Sequence, residues 1–213
     1  MPDTAIRLAQ PHRKAVFTTL LWITLCAGIF FAGLNILFGS FELAMVELVM
    51  AAYAIFLLVE TRHVQHLERW ILAFVIPFFI AMMFAMWVPR SSATVFAWVL
   101  LIPIVSHLLL GRQLGFAVSL FFMATAGVIF FFKHGDDPAL MEELAIANIT
   151  IVSFAILAFS HVYEVSRERS ELRLLLMAQT DFLTGLANRA RFKDIFEREK
   201  VGPSGTRHPY QCW

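Results

Sequence analysis

Residues 15–38 read AVFTTLLWITLCAGIFFAGLNILF and carry no charged side chain. A helix needs about 20 predominantly apolar residues to cross the hydrocarbon core of a bilayer, and this run is long enough. Amide groups in lipid have no water to bond, so a spanning segment satisfies them internally, as a helix. Arg7, Arg13 and Lys14 precede the run, as in the basic start of a signal peptide. The run is too long for a signal peptide's apolar region and five more apolar runs follow it, so it reads as an uncleaved anchor.

Those five runs are Phe41–Val59, Trp70–Val88, Ala93–Leu110, Gly115–Phe132 and Leu144–Val162. Trp70, Trp87 and Trp98 lie near the expected ends, where aromatic belts form. The second run is the least regular, because it holds Glu42 and Glu47. Composition points the same way. The chain is 59% hydrophobic and 15% charged, with 22 Phe in 213 residues, against about 25% charged in an ordinary soluble domain. Too few charges remain to cover a soluble surface. The expected fold class is an all-α membrane protein with about six transmembrane helices in a lipid bilayer. A formal net charge of +1 gives no bulk attraction to nucleic acid, and no basic patch marks a nucleic-acid site. Cys26 lies in the first run and Cys212 is the penultimate residue, so no disulfide framework is expected.

Loop charge sets the orientation. With the N-terminus inside, cytoplasmic segments hold Arg7, Arg13, Lys14, Arg62, Arg69, Arg112, Arg167, Arg169 and Arg173, and outer loops hold only Arg90 and Lys133. The loop after the fifth run is acidic instead, with Asp136, Asp137, Glu142 and Glu143. Since Lys and Arg concentrate in cytoplasmic loops, both termini are expected in the cytoplasm. The organisation is then a cytoplasmic segment at 1–14, a six-helix membrane domain at 15–162, a helical stretch at 163–180, a junction and helix at 181–200, and a tail at 201–213.

Tyr163–Gln179 reads YEVSRERSELRLLLMAQ, without Pro or Gly, and is rich in good helix formers. Val162, Val165, Arg169, Leu172, Leu176 and Gln179 follow a 3,4 spacing. The sixth membrane helix is expected to continue through this stretch as one rod. The seam suits a short parallel coiled coil with a second copy; an ordinary amphipathic helix has the same pattern.

Asp181–Arg189 reads DFLTGLANR. Gly185 can take a positive φ and stop the incoming helix, and Asn188 is a good N-cap for the next one. Leu183 and Leu186 can pack under the turn, and Asp181 and Arg189 can pair across it. In the following ARFKDIFEREK, Phe192, Ile195 and Phe196 keep helical spacing. These nine residues therefore read as a structural junction between rod and domain.

The same nine residues resemble the D-x-L-T-G-L-x-N-R signature that opens the GGDEF domain of diguanylate cyclases. Asp181, Leu183, Thr184, Gly185, Leu186, Asn188 and Arg189 fill all its fixed positions. The resemblance covers roughly residues 163–200, under a fifth of the chain. It implies a cytoplasmic signalling helix leading into the first turn and helix of a truncated α/β GGDEF domain. It also implies a bacterial inner-membrane sensor that works as a homodimer. In the intact family each of two domains holds one GTP with Mg²⁺, and the pair makes cyclic di-GMP. The family's metal-binding Asp, guanine-contacting residues and GG[DE]EF hairpin are not matched here. The tail VGPSGTRHPYQCW reads as an early stop, a shifted reading frame or an end imposed on the chain. No catalytic residue is expected in these 213 residues, and no cofactor is implied for them.

Within the membrane segments, Glu47 is the candidate sensory residue. A carboxylate inside a span is expensive and faces a bundle interior or a polar partner; Asn35 and Tyr53 are the neighbours in reach. His63, His66, His107 and His161 should lie at a similar depth near the cytoplasmic face. Histidine is a common metal ligand, and facing helices can build a haem or metal site. Interfacial histidines also arise for plain amphipathic reasons. Pro77 and Pro103 fall inside the third and fourth runs and can kink them. No phosphate-binding glycine loop, nucleophilic triad or zinc spacing occurs. The expected function is a membrane sensor that passes a packing change down a rod to cyclase domains, with the stimulus unknown. The alternatives are a small six-helix transporter or channel, which should show an internal repeat and broken helices, and a non-catalytic membrane dimerisation remnant.

Overall fold

A computed structural model describes residues 2–61, 67–89, 93–138 and 140–179. His63, His66, Arg90 and the Asp181–Arg189 motif lie outside the described residues. The helices are α1 (Pro2–Leu37), α2 (Phe41–Glu60), α3 (Leu67–Trp87), α4 (Phe96–Val99), α5 (Leu101–Leu110), α6 (Arg112–His134) and α7 (Glu143–Gln179). A 3₁₀ turn at Ala93–Val95 precedes α4. The described residues contain no strand. By contacts the chain divides into one unit of residues 9–166 and another of residues 1–8 and 167–213.

Within the larger unit α3 is the hub, touching α2, α4, α5 and α6. Its buried stripe runs Leu67, Ile71, Phe74, Val75, Phe79, Met83 and Met86, a helical period on one face. Phe17 and Leu21 of α1, Ala54 and Leu57 of α2, Ile102 and Leu109 of α5, and Phe122 and Ala126 of α6 complete this core. Leu72, Ile80, Phe84 and Trp87, on the other side of α3, are exposed. Apolar side chains inside and outside together are what a lipid solvent allows and water does not. Five helical stretches are long and apolar enough to cross a membrane: His12–Leu37, Phe41–Glu60, Leu67–Trp87, Arg112–His134 and Glu143–Leu174.

The fourth expected span, Ala93–Leu110, is not one helix. It is the 3₁₀ turn followed by α4 and α5. Pro103 has no N–H for the Val99 carbonyl four residues back, and its ring crowds that carbonyl. The break falls beside Val99, at Leu100, whose N–H reaches back only three residues to the Ala97 carbonyl at 3.3 Å. The 15 residues from Phe96 to Leu110 rise about 22 Å at ~1.5 Å per residue, short of the ~30 Å hydrocarbon core. The expected six full spans are thus five, plus this short, broken sixth segment.

Pro77 has a different outcome, because α3 continues through it. Its missing N–H leaves the Ala73 carbonyl without a helical partner. The Tyr53 hydroxyl of α2 donates to that carbonyl at 3.0 Å. At the far end of α3, the Lys133 ammonium of α6 donates to the Met86 and Val88 carbonyls, each at 2.7 Å. A cation on the last carbonyls of a helix satisfies unpaired acceptors and complements the helix dipole.

Candidate sensory site

The site begins at the corner between α5 and α6. Gly111 closes α5 with its N–H on the His107 carbonyl at 3.0 Å. It has φ +79°, a conformation that glycine takes without strain, and so turns the chain directly into α6. Four residues on, a Cβ on Gly115 would stand 2.7 Å from the Ser106 carbonyl oxygen and 2.8 Å from the His107 Cα. Only a glycine lets α6 lie this close against the backbone of α5, the small-residue logic of membrane helix packing.

This close approach buries His107, which is 1% exposed. Its Nδ1 lies 2.7 Å from the Pro103 carbonyl, one turn back. A carbonyl only accepts, so Nδ1 carries the hydrogen and Nε2 of the neutral ring is left as an acceptor. Nε2 is buried and has no hydrogen-bond partner among the described residues. His161 of α7 meets it edge to face, with ring centroids 5.5 Å apart, and its Nδ1 is likewise buried without a hydrogen-bond partner. Phe116 of α6 closes the group, 5.3 Å from the His161 ring and 6.4 Å from that of His107. Three helices therefore converge on two imidazoles.

Beside them, a cavity of about 400 Å³ separates α5 from α7. Ile104, His107 and Leu108 form one wall and Ile156, Phe159, Ser160 and Tyr163 the other. On α7 only Leu157 and Glu164 are buried among the described side chains. With His161 they make an i, i+4, i+7 stripe, the face that meets the bundle. Arg13 and Glu164 approach the corner next to this layer: a Cβ on Gly111 would stand 3.0 Å from Arg13 Nη2 and 3.9 Å from Glu164 Oε1. Arg13 Nη1 also lies 3.4 Å from Glu68 Oε1 of α3.

Of the residues singled out in the sequence, the fold thus brings His107 and His161 together. Glu47 lies elsewhere. Asn35 Nδ2 donates to its Oε1 at 3.0 Å and its Oε2 at 2.9 Å. Arg13 and Asn35 are 22 residues apart on α1, about 33 Å at ~1.5 Å per residue. Glu47 is therefore a second polar spot near the other end of the bundle. There Gly28 brings α1 against α2: a Cβ on it would sit 3.1 Å from the Glu47 carbonyl oxygen. Tyr53, the other partner in reach by sequence, is turned to Ala73 instead. Among the described residues no three His, Cys, Asp or Glu side chains gather as a metal-ligand set. Gly111 and Gly115 shape this corner, and apolar run lengths do not reveal them. Their signal is the G-x-x-x-G spacing, along with the four-residue spacing of Pro103 and His107.

The sequence model of the MASE6 family matches residues 7–174. No curated protein matches the chain, and no solved structure does.

Proposed function

The chain belongs to the MASE6 family of membrane-associated sensory domains, and from that premise we propose that it senses in the membrane and signals along α7 to a diguanylate cyclase domain. The observation that carries this reading is α7 itself. One unbroken helix runs from Glu143 through the apolar segment and the charged stretch to Gln179, two residues before DFLTGLANR begins. A continuous helix transmits rotation or translation, because its hydrogen bonds leave no hinge to absorb it.

In this reading both termini face the cytoplasm of a bacterium, the chain sits in the inner membrane, and two copies pair along the seam that includes Val165, Arg169 and Leu172. GTP and Mg²⁺ belong to the GGDEF domain of the intact family. The residues 181–189 set the angle at which that domain leaves the rod.

Pairing is tested by cross-linking in native membranes. In a Cys26→Ser, Cys212→Ser background, Leu172→Cys on the seam should give an oxidised dimer well ahead of Leu174→Cys off it. Both leucines are exposed, at 55% and 66%, so accessibility does not separate them. Equal yields at both positions, or none at either, would overturn the pairing. The cyclase assignment is tested by reading the gene past the Lys200 codon in all three frames. An open frame with a metal-site Asp and a GG[DE]EF hairpin supports it; absence of such a frame removes it.

A further inference from the structure

We propose that two copies of the chain also meet inside the membrane, along the face of α7 formed by Leu144, Asn148, Ile151, Ala155, Ala158 and Val162, with the two Asn148 carboxamides hydrogen-bonded to each other. The inference rests on the pairing read above and carries it into the bilayer.

Three observations carry it. First, α7 leaves most of its membrane surface uncovered. Only 6% of its apolar window is buried, against 22% to 39% for the other four spans. At ~100° per residue, the six positions centre about 140° around the helix from Leu157, far from the stripe that Leu157 forms with His161 and Glu164. Leu144, Asn148, Ile151, Ala158 and Val162 are exposed and Ala155 is half-buried. Second, Asn148 needs a partner. It lies four residues beyond Leu144, where the apolar run starts, about 6 Å into the span at ~1.5 Å per residue. No described residue gives it a hydrogen bond, whereas Asn35 on α1 reaches Glu47. Lipid offers neither donor nor acceptor, and polar side chains in spans bond across helices. A hydroxyl such as that of Thr150 can turn back to the carbonyl one turn earlier; a carboxamide has two donors and an acceptor to place.

Third, one spacing runs through both segments. The 3,4 spacing of Val165, Arg169 and Leu172, carried toward the start of α7, passes through all six positions, and the helix is unbroken between them. Two copies inserted in the same orientation form a parallel pair, so a residue at the axis meets its own counterpart at the same depth. Asn148 then falls at an a position, where a polar residue fixes the register of a parallel pair. Each carboxamide donates to the oxygen of the other. Ala155 and Ala158 let the two backbones come close.

The test places single cysteines in the full chain, in a Cys26→Ser, Cys212→Ser background, and oxidises native membranes with copper phenanthroline. Ile151→Cys should give a disulfide dimer well ahead of Val152→Cys and Phe154→Cys, which flank the face on either side. All three positions are exposed, and Cα atoms more than ~7 Å apart cannot be bridged. Association is then read by energy transfer between labelled copies diluted in liposomes. Asn148→Leu should weaken it about tenfold, equivalent to ~1.4 kcal/mol, and Asn148→Gln should recover most of the loss. Because Asn148 is exposed, Leu there leaves the fold of one copy intact. Equal dimer yields at the three positions, or none at Ile151→Cys, would overturn the proposal, as would undiminished association of Asn148→Leu. Energy transfer no greater than that to an unrelated labelled membrane protein would leave the face to lipid and overturn it too. A dimer at Leu172→Cys with none at Ile151→Cys would sink this interface and leave the pairing of the rod standing. The reverse would support this interface and count against that pairing.

Discussion

Tyr53→Phe removes one oxygen from the protein, and its cost should depend on a proline in another helix. The Tyr53 hydroxyl donates at 3.0 Å to the Ala73 carbonyl, the acceptor that Pro77 cannot serve. An average interhelical hydrogen bond in a membrane protein contributes about 0.6 kcal/mol, and the largest about 1.7. Here the carbonyl has no helical donor to fall back on, and on the exposed side of α3 lipid offers none in place of the hydroxyl. The loss should therefore sit at the upper end of the membrane range, about 1.5 kcal/mol. Pro77→Ala restores an N–H that closes the ordinary turn onto Ala73. In that background Tyr53→Phe should cost at most about 0.5 kcal/mol, so the pair should be coupled by roughly 1 kcal/mol. The assay is a double-mutant cycle by reversible SDS titration in bicelles, following tryptophan emission. Equal costs of Tyr53→Phe in the two backgrounds would refute the argument that Tyr53 stands in for the missing amide.

Gly115→Leu should destabilise the same titration by about 1–3 kcal/mol through overpacking, since its Cβ would meet α5 backbone at 2.7 Å, whereas Gly127→Leu, with nothing within 4 Å, should be neutral; equal effects would show that the close approach is not needed. Glu47→Leu should lose about 1–2 kcal/mol because it leaves the Asn35 amide unpaired, and Glu47→Gln, which keeps an acceptor, should recover most of it. Lys133→Met should loosen the end of α3 by about 1 kcal/mol, read as faster amide exchange at its last turn, and Lys133→Arg should restore protection.

How far the sequence reveals this molecule depends on whether the relevant force is local. Run length alone finds the spanning helices, because lipid imposes the same demand on every segment. Helix-forming composition alone carries α7 past its apolar part. The two prolines mark where such reasoning ends. Pro77 and Pro103 look alike in the chain, yet α3 runs through one and the fourth segment breaks at the other. For Pro77 a tyrosine 24 residues earlier in sequence supplies a hydrogen bond to the freed carbonyl, which only tertiary structure reveals. Glu47 has two partners in reach by sequence, Asn35 and Tyr53. The structure gives it Asn35, with Tyr53 committed to α3. For the histidines, depth in the membrane places His107 and His161 at one level, but their contact depends on the α5–α6 corner. Gly111 and Gly115 build that corner, and no periodicity of apolar residues reports them. His63 and His66 lie outside the described residues.

A sensor also needs an element that a weak stimulus can move. A ligand shifts an equilibrium only by its difference in affinity for the two states, and a tenfold preference is worth ~1.4 kcal/mol. A helix packed on all sides would not answer to so little, since in lipid its close van der Waals contacts would all have to be remade as it moved. Among the described side chains, α7 buries only Leu157 and Glu164, and His161 lies between them on the same stripe. Leu157, His161 and Glu164 are one place where α7 meets the bundle, and Ile149, nearer its start, packs on the core as well. His107 and His161 touch on this same face of α7. The opposite side of the helix, with Ile151, Phe154 and Phe159 exposed, exchanges no contact within its own copy when it turns, so the cost of a shift to the bundle falls on the packed stripe.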